Sequence, residues 1–299
     1  MVQRRNFLQA LIVVAASPLL GERVAHGNAW RIPLQATGSD PVIRNLRFTL
    51  TVENPVAQTL HNARIWLYMP VKHGARQTLG ALNVSMPHKV IEDALGNTIV
   101  ELVWDSFAAY ATRIVKLNAQ VRIFSEPLAQ AFLSPGLFLA DEPFIEVNAP
   151  GVQALAKELQ RQEALATAHA IYDWLVSHLH YAGFIADDLG ANYALKNRRG
   201  DCTEYAYLAV ALARANDIPA RVLGGYIANR DAAPRSADYH NWAELYIDGA
   251  WRLLDAQKEN FLTREQQYVA FRIVSSQVEN VLGTAHRFKA SENLVANMG

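Results

Sequence analysis

The chain holds a single cysteine, Cys202, among 299 residues. An internal disulfide is excluded, and so is any cluster held by several thiolates. Net charge is lacking as well: Lys plus Arg and Asp plus Glu each number 28. That balance argues against a dedicated binder of nucleic acid or of an anionic membrane. No glycine loop of the phosphate-cradling patterns occurs. No internal repeat or low-complexity tract is visible, and no segment after the N-terminus is apolar enough to cross a membrane. What remains is globular: 51% of the residues are hydrophobic and 19% are charged. The length suits two domains of ordinary size.

The N-terminus reads as a targeting segment. Arg4 and Arg5 precede an apolar stretch from Ala10 to Leu20, and polar Glu22 and Arg23 follow. This stretch is short for a membrane span but suits a signal-peptide core. The order Arg4-Arg5-Asn6-Phe7-Leu8 resembles a twin-arginine export signal, the alternative being an ordinary secretory signal. Residues 1–28 are assigned to it, with cleavage expected between Ala25 and Ala29. The expected location is therefore periplasmic or secreted, with no stable membrane insertion once the signal is removed. No cysteine directly follows the apolar run, so a lipid-anchored form is not supported. Export sharpens the question of the cysteine. In an oxidising compartment thiols are usually paired, so an unpaired one is a partner-linking site, a buried hydrophobe or a reactive group.

Residues 29–125 are read as a small β-sandwich. Leu46, Phe48, Leu50 and Val52 alternate with Arg47, Thr49 and Thr51. Ile65, Leu67 and Met69 repeat the pattern, as do Val100, Leu102 and Trp104, and then Val115, Leu117, Ala119 and Val121. Period-two alternation turns one face toward a core. Turn chemistry separates the runs at Glu53-Asn54-Pro55 and Leu95-Gly96-Asn97. Residues 126–150 carry Pro127, Pro135, Pro143 and Pro150 and read as a linker.

The second domain is placed at 151–299. From Val152 to His180 there is no proline or glycine, and apolar residues fall near helical spacing, which predicts one or two helices. Another helix is expected from Cys202 to about Asn216, stopped by Ile218-Pro219-Ala220. Strands are predicted at Arg221–Tyr226 and Tyr268–Val274. A hairpin is predicted from Asn241–Ile247 and Trp251–Asp255 around Asp248-Gly249. Helices first and strands after is an α+β order.

Cys202 follows Arg198-Arg199-Gly200-Asp201 and opens a helix. A thiol there faces unpaired backbone N–H groups and the positive end of the helix dipole, a setting that suits a nucleophile. Asp201 or Thr203 can cap that end, and Gly200 gives the backbone freedom before it. A thiol nucleophile needs an imidazole partner, which in turn needs an orienting acceptor. His240 opens the first strand of the hairpin and Asp255 closes the second. The Asp248-Gly249 turn brings these far ends level. Glu244 shares a strand face with His240 and Trp242, and is read as a strand support or partner of Arg221. Trp242 and Trp251 are read as core or cleft walls. His178 and His180 stand two apart, do not share a helix face, and have no third ligand, so no metal is expected. The basic run Lys196-Asn197-Arg198-Arg199 reads as a solvated cluster, at most at the rim of a cleft. No cofactor is expected either.

Five blocks together carry a resemblance: Gly200-Asp201-Cys202-Thr203-Glu204-Tyr205-Ala206, Asp217-Ile218-Pro219-Ala220-Arg221-Val222, Gly225-Tyr226, His240-Asn241-Trp242-Ala243-Glu244 and Trp251-Arg252-Leu253-Leu254-Asp255. In order, type and spacing they resemble the transglutaminase-like superfamily of papain-like Cys-His-Asp enzymes, over about residues 150–275. Tyr68-Met69-Pro70-Val71 and Asp93-Ala94-Leu95-Gly96-Asn97 are similar to the β domain that precedes this module in some bacterial exported members. The resemblance implies a papain-like α+β core behind an all-β domain. It makes Cys202 the nucleophile, His240 the general acid/base and Asp255 the orienter. It also implies an oxyanion stabiliser. The backbone N–H of Cys202 can serve as one donor, and Tyr181 or, second, Trp174 supplies a side chain. The expected activity is hydrolysis of a peptide or other amide bond in a protein or peptide substrate, through a Cys202 thioester. Acyl transfer to an amine and a catalytically silent binding module are the alternatives.

Overall fold

A computed structural model describes residues 40–128 and 134–299. The expected signal at 1–28 lies outside the described residues. The described elements in chain order begin with β1 (Val42–Glu53), β2 (Leu60–Met69), β3 (Gln77–Val84), β4 (Lys89–Glu92), β5 (Thr98–Phe107) and β6 (Thr112–Ile123). Next come α1 (Pro150–Leu159), α2 (Ala164–His178), β7 (His180–Tyr181), α3 (Ala191–Asn197), β8 (Arg199–Gly200) and α4 (Cys202–Arg214). The chain then turns to β9 (Ala220–Ile227), β10 (Tyr239–Ile247), β11 (Ala250–Asp255), β12 (Asn260–Phe261), β13 (Tyr268–Val274), β14 (Phe288–Ala290) and β15 (Val295–Met298). The order is α+β, as the periodicities require.

The alternating runs build two four-stranded antiparallel sheets, ordered β15-β1-β6-β3 and β14-β2-β5-β4. Leu46, Phe48, Leu50 and Val52 of β1 are buried, and so are Ile65, Leu67 and Met69 of β2. Full burial of such side chains contributes about 1.5–3 kcal/mol each, before the entropy of ordering them is subtracted. The sequence reading carries the second domain to residue 299. The chain instead returns, and β14 and β15 close an edge of each sandwich sheet.

The third large sheet is antiparallel, ordered β12-β11-β10-β9-β13. One face packs on helices: Ala220, Val222, Ala243, Leu245 and Leu254 share a core with α1, α2 and α4. Helix α4 is buried on every side from Thr203 to Arg214, which is why it is apolar or aromatic all round from Tyr205 to Ala213, with the charged Glu204 and Arg214 near its ends held by hydrogen bonds. The other face packs on the sandwich, where Leu223, Trp242, Trp251 and Leu253 meet Val71, Ala75 and Leu95.

The segment read as a linker is partly core. Phe138 is fully buried and stands edge-on to Trp251 at 5.3 Å. Ile145 and Val147 join the helical core, and Pro150 starts α1, where its missing N–H costs nothing. The sequence pattern does not announce helix α3; Gly190, at φ 89°, turns the chain into it. The strand β13 would expose an edge, but two sandwich amides cover it. The Gln77 side chain bonds both the N–H and C=O of Ala270 at 2.8 and 2.9 Å, and Asn97 does the same to Ile273 at 2.6 and 3.0 Å. Such cover protects an edge from pairing with another chain.

Candidate active site

The site lies at the end of the third sheet, where β10 begins and the N-terminus of α4 meets it. A capping box starts that helix. Asp201 Oδ1 accepts from the Thr203 N–H at 2.7 Å, and Glu204 Oε2 accepts from the Asp201 N–H at 3.0 Å. Asp201 is thus the cap. The Thr203 hydroxyl oxygen instead accepts from Asn241 Nδ2 at 2.8 Å, tying the helix start to β10. The second oxygens of the box reach outward. Asp201 Oδ2 accepts from Ile185 N–H and Glu204 Oε1 from Leu189 N–H, both at 3.0 Å. The box therefore also holds the loop before α3. Gly200 is required for a different reason from backbone freedom: a Cβ there would stand 2.3 Å from the Glu204 Cβ.

This arrangement leaves Cys202 half-buried at the first helical position. Asn241 Nδ2 points at its sulfur from 3.9 Å. His240 and Asp255 are buried, at 5% and 3% exposure. His240 Nε2 lies 2.6 Å from Asp255 Oδ2, which leaves Nδ1 as the ring nitrogen free for Cys202. The ring also interacts with the Cys202 side chain. Burial pulls the His240 pKa down, but hydrogen bonding to Asp255 and Cys202, and the charge of both, outweigh it and raise the pKa to about 9. The structure thus brings the three expected residues together.

The hairpin register is offset from the sequence reading. Ala243 pairs with Leu254, so continuing the pairing puts Asp255 opposite Trp242 and diagonal to His240. Diagonal neighbours on one face of a sheet remain within reach of each other, and the bond forms. His240 itself lies inside β10, opposite Gly225 of β9. A Cβ at Gly225 would stand 2.1 Å from the Val269 carbonyl oxygen, so only glycine lets β13 approach there.

Asp255 accepts more than the imidazole. Its Oδ2 also accepts from the Tyr268 hydroxyl at 2.8 Å, and its Oδ1 from the Lys258 N–H at 3.1 Å. Asn260 Nδ2 donates to the Tyr268 oxygen at 3.2 Å. Burial first, then the negative charge of Asp255, push the Tyr268 pKa up, so the hydroxyl stays protonated and donates. The sequence reading gave no role to Tyr268, Asn260 or Asn241. Asn241 had a signal, since it adjoins His240. Tyr268 had none, because its contact depends on where β13 joins the sheet beside β9.

Of the two oxyanion candidates, Tyr181 pairs with Gly200 across β7 and β8, two residues before Cys202, and lies near enough to feel the charge of Cys202. It is 57% exposed, and its pKa is raised by partial burial and by the charges of Cys202 and Asp201. Trp174 sits in the helical core, stacked on His178 at 4.7 Å and beneath the Arg198 guanidinium at 4.4 Å. Phe184, at 86% exposure, follows Tyr181 on the same loop. Glu244 serves structure: its carboxylate holds the fully buried Arg221 at 2.7 Å, and Trp251 covers that cation at 4.1 Å. Among the described residues no group of three or more His, Cys, Asp or Glu side chains could hold a metal ion.

The model of the transglutaminase-like superfamily matches residues 153–256. Among solved structures, one similar to this chain is a candidate cysteine protease from Cytophaga hutchinsonii, with TM-score 0.60 and 18% identity over 86% of this chain and 91% of the other. Another is the periplasmic domain of TgpA from Pseudomonas aeruginosa, with TM-score 0.41 and 16% identity over 72% and 88%. No curated protein matches the chain. The Cytophaga structure shares the fold over nearly the whole described chain, the all-β region included. Between Gln153 and Ala256, where Cys202, His240 and Asp255 all lie, this chain carries a domain of the transglutaminase-like superfamily.

Proposed function

We propose that the chain is an exported cysteine hydrolase of peptide or other amide bonds, with Cys202 as nucleophile, His240 as acid and base, and Asp255 as orienter. The observation that carries this reading is the placement of the lone thiol on the first residue of α4, beside an imidazole whose far nitrogen is 2.6 Å from a buried carboxylate. In the reaction, the Cys202 thiol gives its proton to His240, and Sγ attacks the amide carbon and forms a C–S bond. The oxygen charge is taken by the Cys202 N–H, first in its helix and without an intrahelical acceptor, and by the Tyr181 hydroxyl. His240 gives a proton to the leaving nitrogen as the C–N bond breaks. Water, deprotonated by the same ring, then attacks the thioester, releasing a carboxylic acid and restoring the thiol. The name of the Cytophaga neighbour favours hydrolysis over transfer to an amine.

The test is activity and folding of three single variants and one double. Substrates come from a proteomic comparison of wild type with Cys202→Ala, which also separates new termini from new crosslinks. Cys202→Ala and His240→Ala should each lose on the order of 10⁶ in kcat, and Asp255→Asn roughly 10⁴, with the Cys202/His240 double little worse than either single. All variants should stay folded at the assay temperature: Cys202→Ala should melt like the wild type, while His240→Ala and Asp255→Asn should melt lower, because each removes one partner of a buried pair. Normal turnover by Cys202→Ala, or losses explained by unfolding, would return the chain to a binding role. Export rests on Arg4-Arg5 and the apolar stretch after them. The N-terminus of cell-derived protein should lie near residue 26–30, and finding Met1 or Val2 there overturns it.

A further inference from the structure

The contacts that end at His240 begin in the sandwich. Arg76 and Gln77, at the start of β3, grip the chain on either side of Tyr268. The Arg76 guanidinium pairs with Glu265 at 2.6 Å, both side chains nearly buried. Gln77 bonds both backbone groups of Ala270. Between these two grips the Tyr268 ring stands edge-on to Trp242 at 5.1 Å, and Trp242 stacks on His240 at 6.3 Å. The hydroxyl then shares Asp255 Oδ2 with His240 Nε2, at 2.8 and 2.6 Å.

We propose that Tyr268 is a positioning residue for the His240–Asp255 pair, held in place by Arg76 and Gln77 of the β-sandwich. The proposal rests on the Cys202–His240–Asp255 reading. It also assigns the sandwich a part in that site. A hydroxyl that donates to Oδ2 takes up part of the carboxylate's charge. The carboxylate then holds the His240 proton less strongly, so the ring can still release it to a leaving nitrogen. The same bond fixes where Oδ2 lies. Asn260 sharpens the donor, because a hydroxyl that accepts one hydrogen bond donates a stronger one. The groups facing the pair are few. Cys202 of α4 faces the ring. Tyr268 bonds Asp255, Tyr172 of α2 lies near enough to feel its charge, Arg264 acts on both tyrosines, and Glu259 and Asp173 act on Tyr172.

The experiment uses the full chain with Tyr268→Phe, which keeps the ring and removes only the hydroxyl. Two readouts need no peptide substrate: the titration of the His240 imidazole by NMR, and the pH dependence of Cys202 alkylation by iodoacetamide. Loss of the donor should move the His240 midpoint upward by about half a unit to one unit. On a peptide substrate kcat should fall about tenfold with KM changed less than twofold. Gln77→Ala should move the midpoint the same way by a smaller amount, with Tyr268 still present. If Tyr268→Phe does not fold, Asn260→Ala takes its place, with an upward shift again expected. A midpoint unchanged in Tyr268→Phe, or in Asn260→Ala where that replaces it, overturns the proposal whatever the melting temperature. A shift in Tyr268→Phe with none in Gln77→Ala overturns the sandwich's part in it. The underlying reading fails by a different sign: alkylation of Cys202 in otherwise wild-type protein that ignores His240→Ala.

Discussion

His240 is held between opposing effects whose balance can be tested. A ring 5% exposed loses solvation when charged, which favours the neutral form. The Asp255 carboxylate at 2.6 Å and the Cys202 side chain oppose this and win, so the pKa rises to about 9. The folded-state value therefore lies above the ordinary value of 6.5. Such a group stabilises the fold through its protonated form. Its contribution is complete below about pH 6.5 and is lost as pH rises through about 9. Calorimetric melting of the wild type should thus fall across that window by more than melting of His240→Gln. Equal slopes would mean that the ring carries no charge in the folded protein. Glu244 shows the other use of a buried charge. It neutralises Arg221 deep between Trp251 and Phe138, away from the reacting atoms.

At the scale of elements, the start of α4 serves several ends at once. Asp201 caps the helix with one oxygen and holds Ile185 with the other. Replacing a cap residue with alanine costs about 1 kcal/mol, up to about 2. Asp201→Ala also leaves the Ile185 N–H without its acceptor, so the upper part of that range is expected here. Chemical denaturation should show that loss, and alkylation of Cys202 should slow as the helix end frays. Stability equal to wild type would mean that water replaces both bonds. The β10–β11 hairpin was more legible. Asp248 and Gly249 have φ of 52° and 80°, the pair of positive angles that a two-residue type I′ turn needs. Its register, and hence the diagonal approach of Asp255, followed from the turn rather than from the strand pattern.

At the scale of the whole molecule, the described residues all fall within one compact unit, Leu34–Gly299. Tyr226, Val269 and Phe271 of the third sheet lie in the sandwich core, and Val71 and Ala75 of the first region lie in the core beneath Trp242. The two regions therefore share apolar surface instead of meeting through a loose linker. The last strands matter for the same reason. A chain ending at Arg287 loses β14 and β15, which uncovers the backbone edges of β2 and β1. Exposed edges pair with other chains. This truncated chain should elute as aggregates on gel filtration, with a lowered melting temperature. A soluble monomer that melts like the wild type would show that the closing strands are dispensable.

The sequence by itself determined what nearest neighbours along the chain control. Alternation at 46–52 set a buried strand face, Asp248-Gly249 set a turn, and Asp201-Cys202 set a thiol at a helix start, because each signal is spent within a few residues. The likeness of five spaced blocks to one superfamily then paired Cys202 with His240 and Asp255. Only the tertiary structure decided the rest. Phe288–Ala290 and Val295–Met298 are too short to announce themselves as strands, and become so only against the edges of β2 and β1. Phe138 is apolar in a proline-rich stretch, and its burial depends on Trp251 arriving from more than a hundred residues away. Tyr268 carries no local mark at all. It reaches Asp255 because Arg76 and Gln77, far back in the chain, hold the start of β13 at the edge of the sheet beside β9. Contacts of that kind join segments whose sequences were free to vary separately, so no pattern within either segment records them.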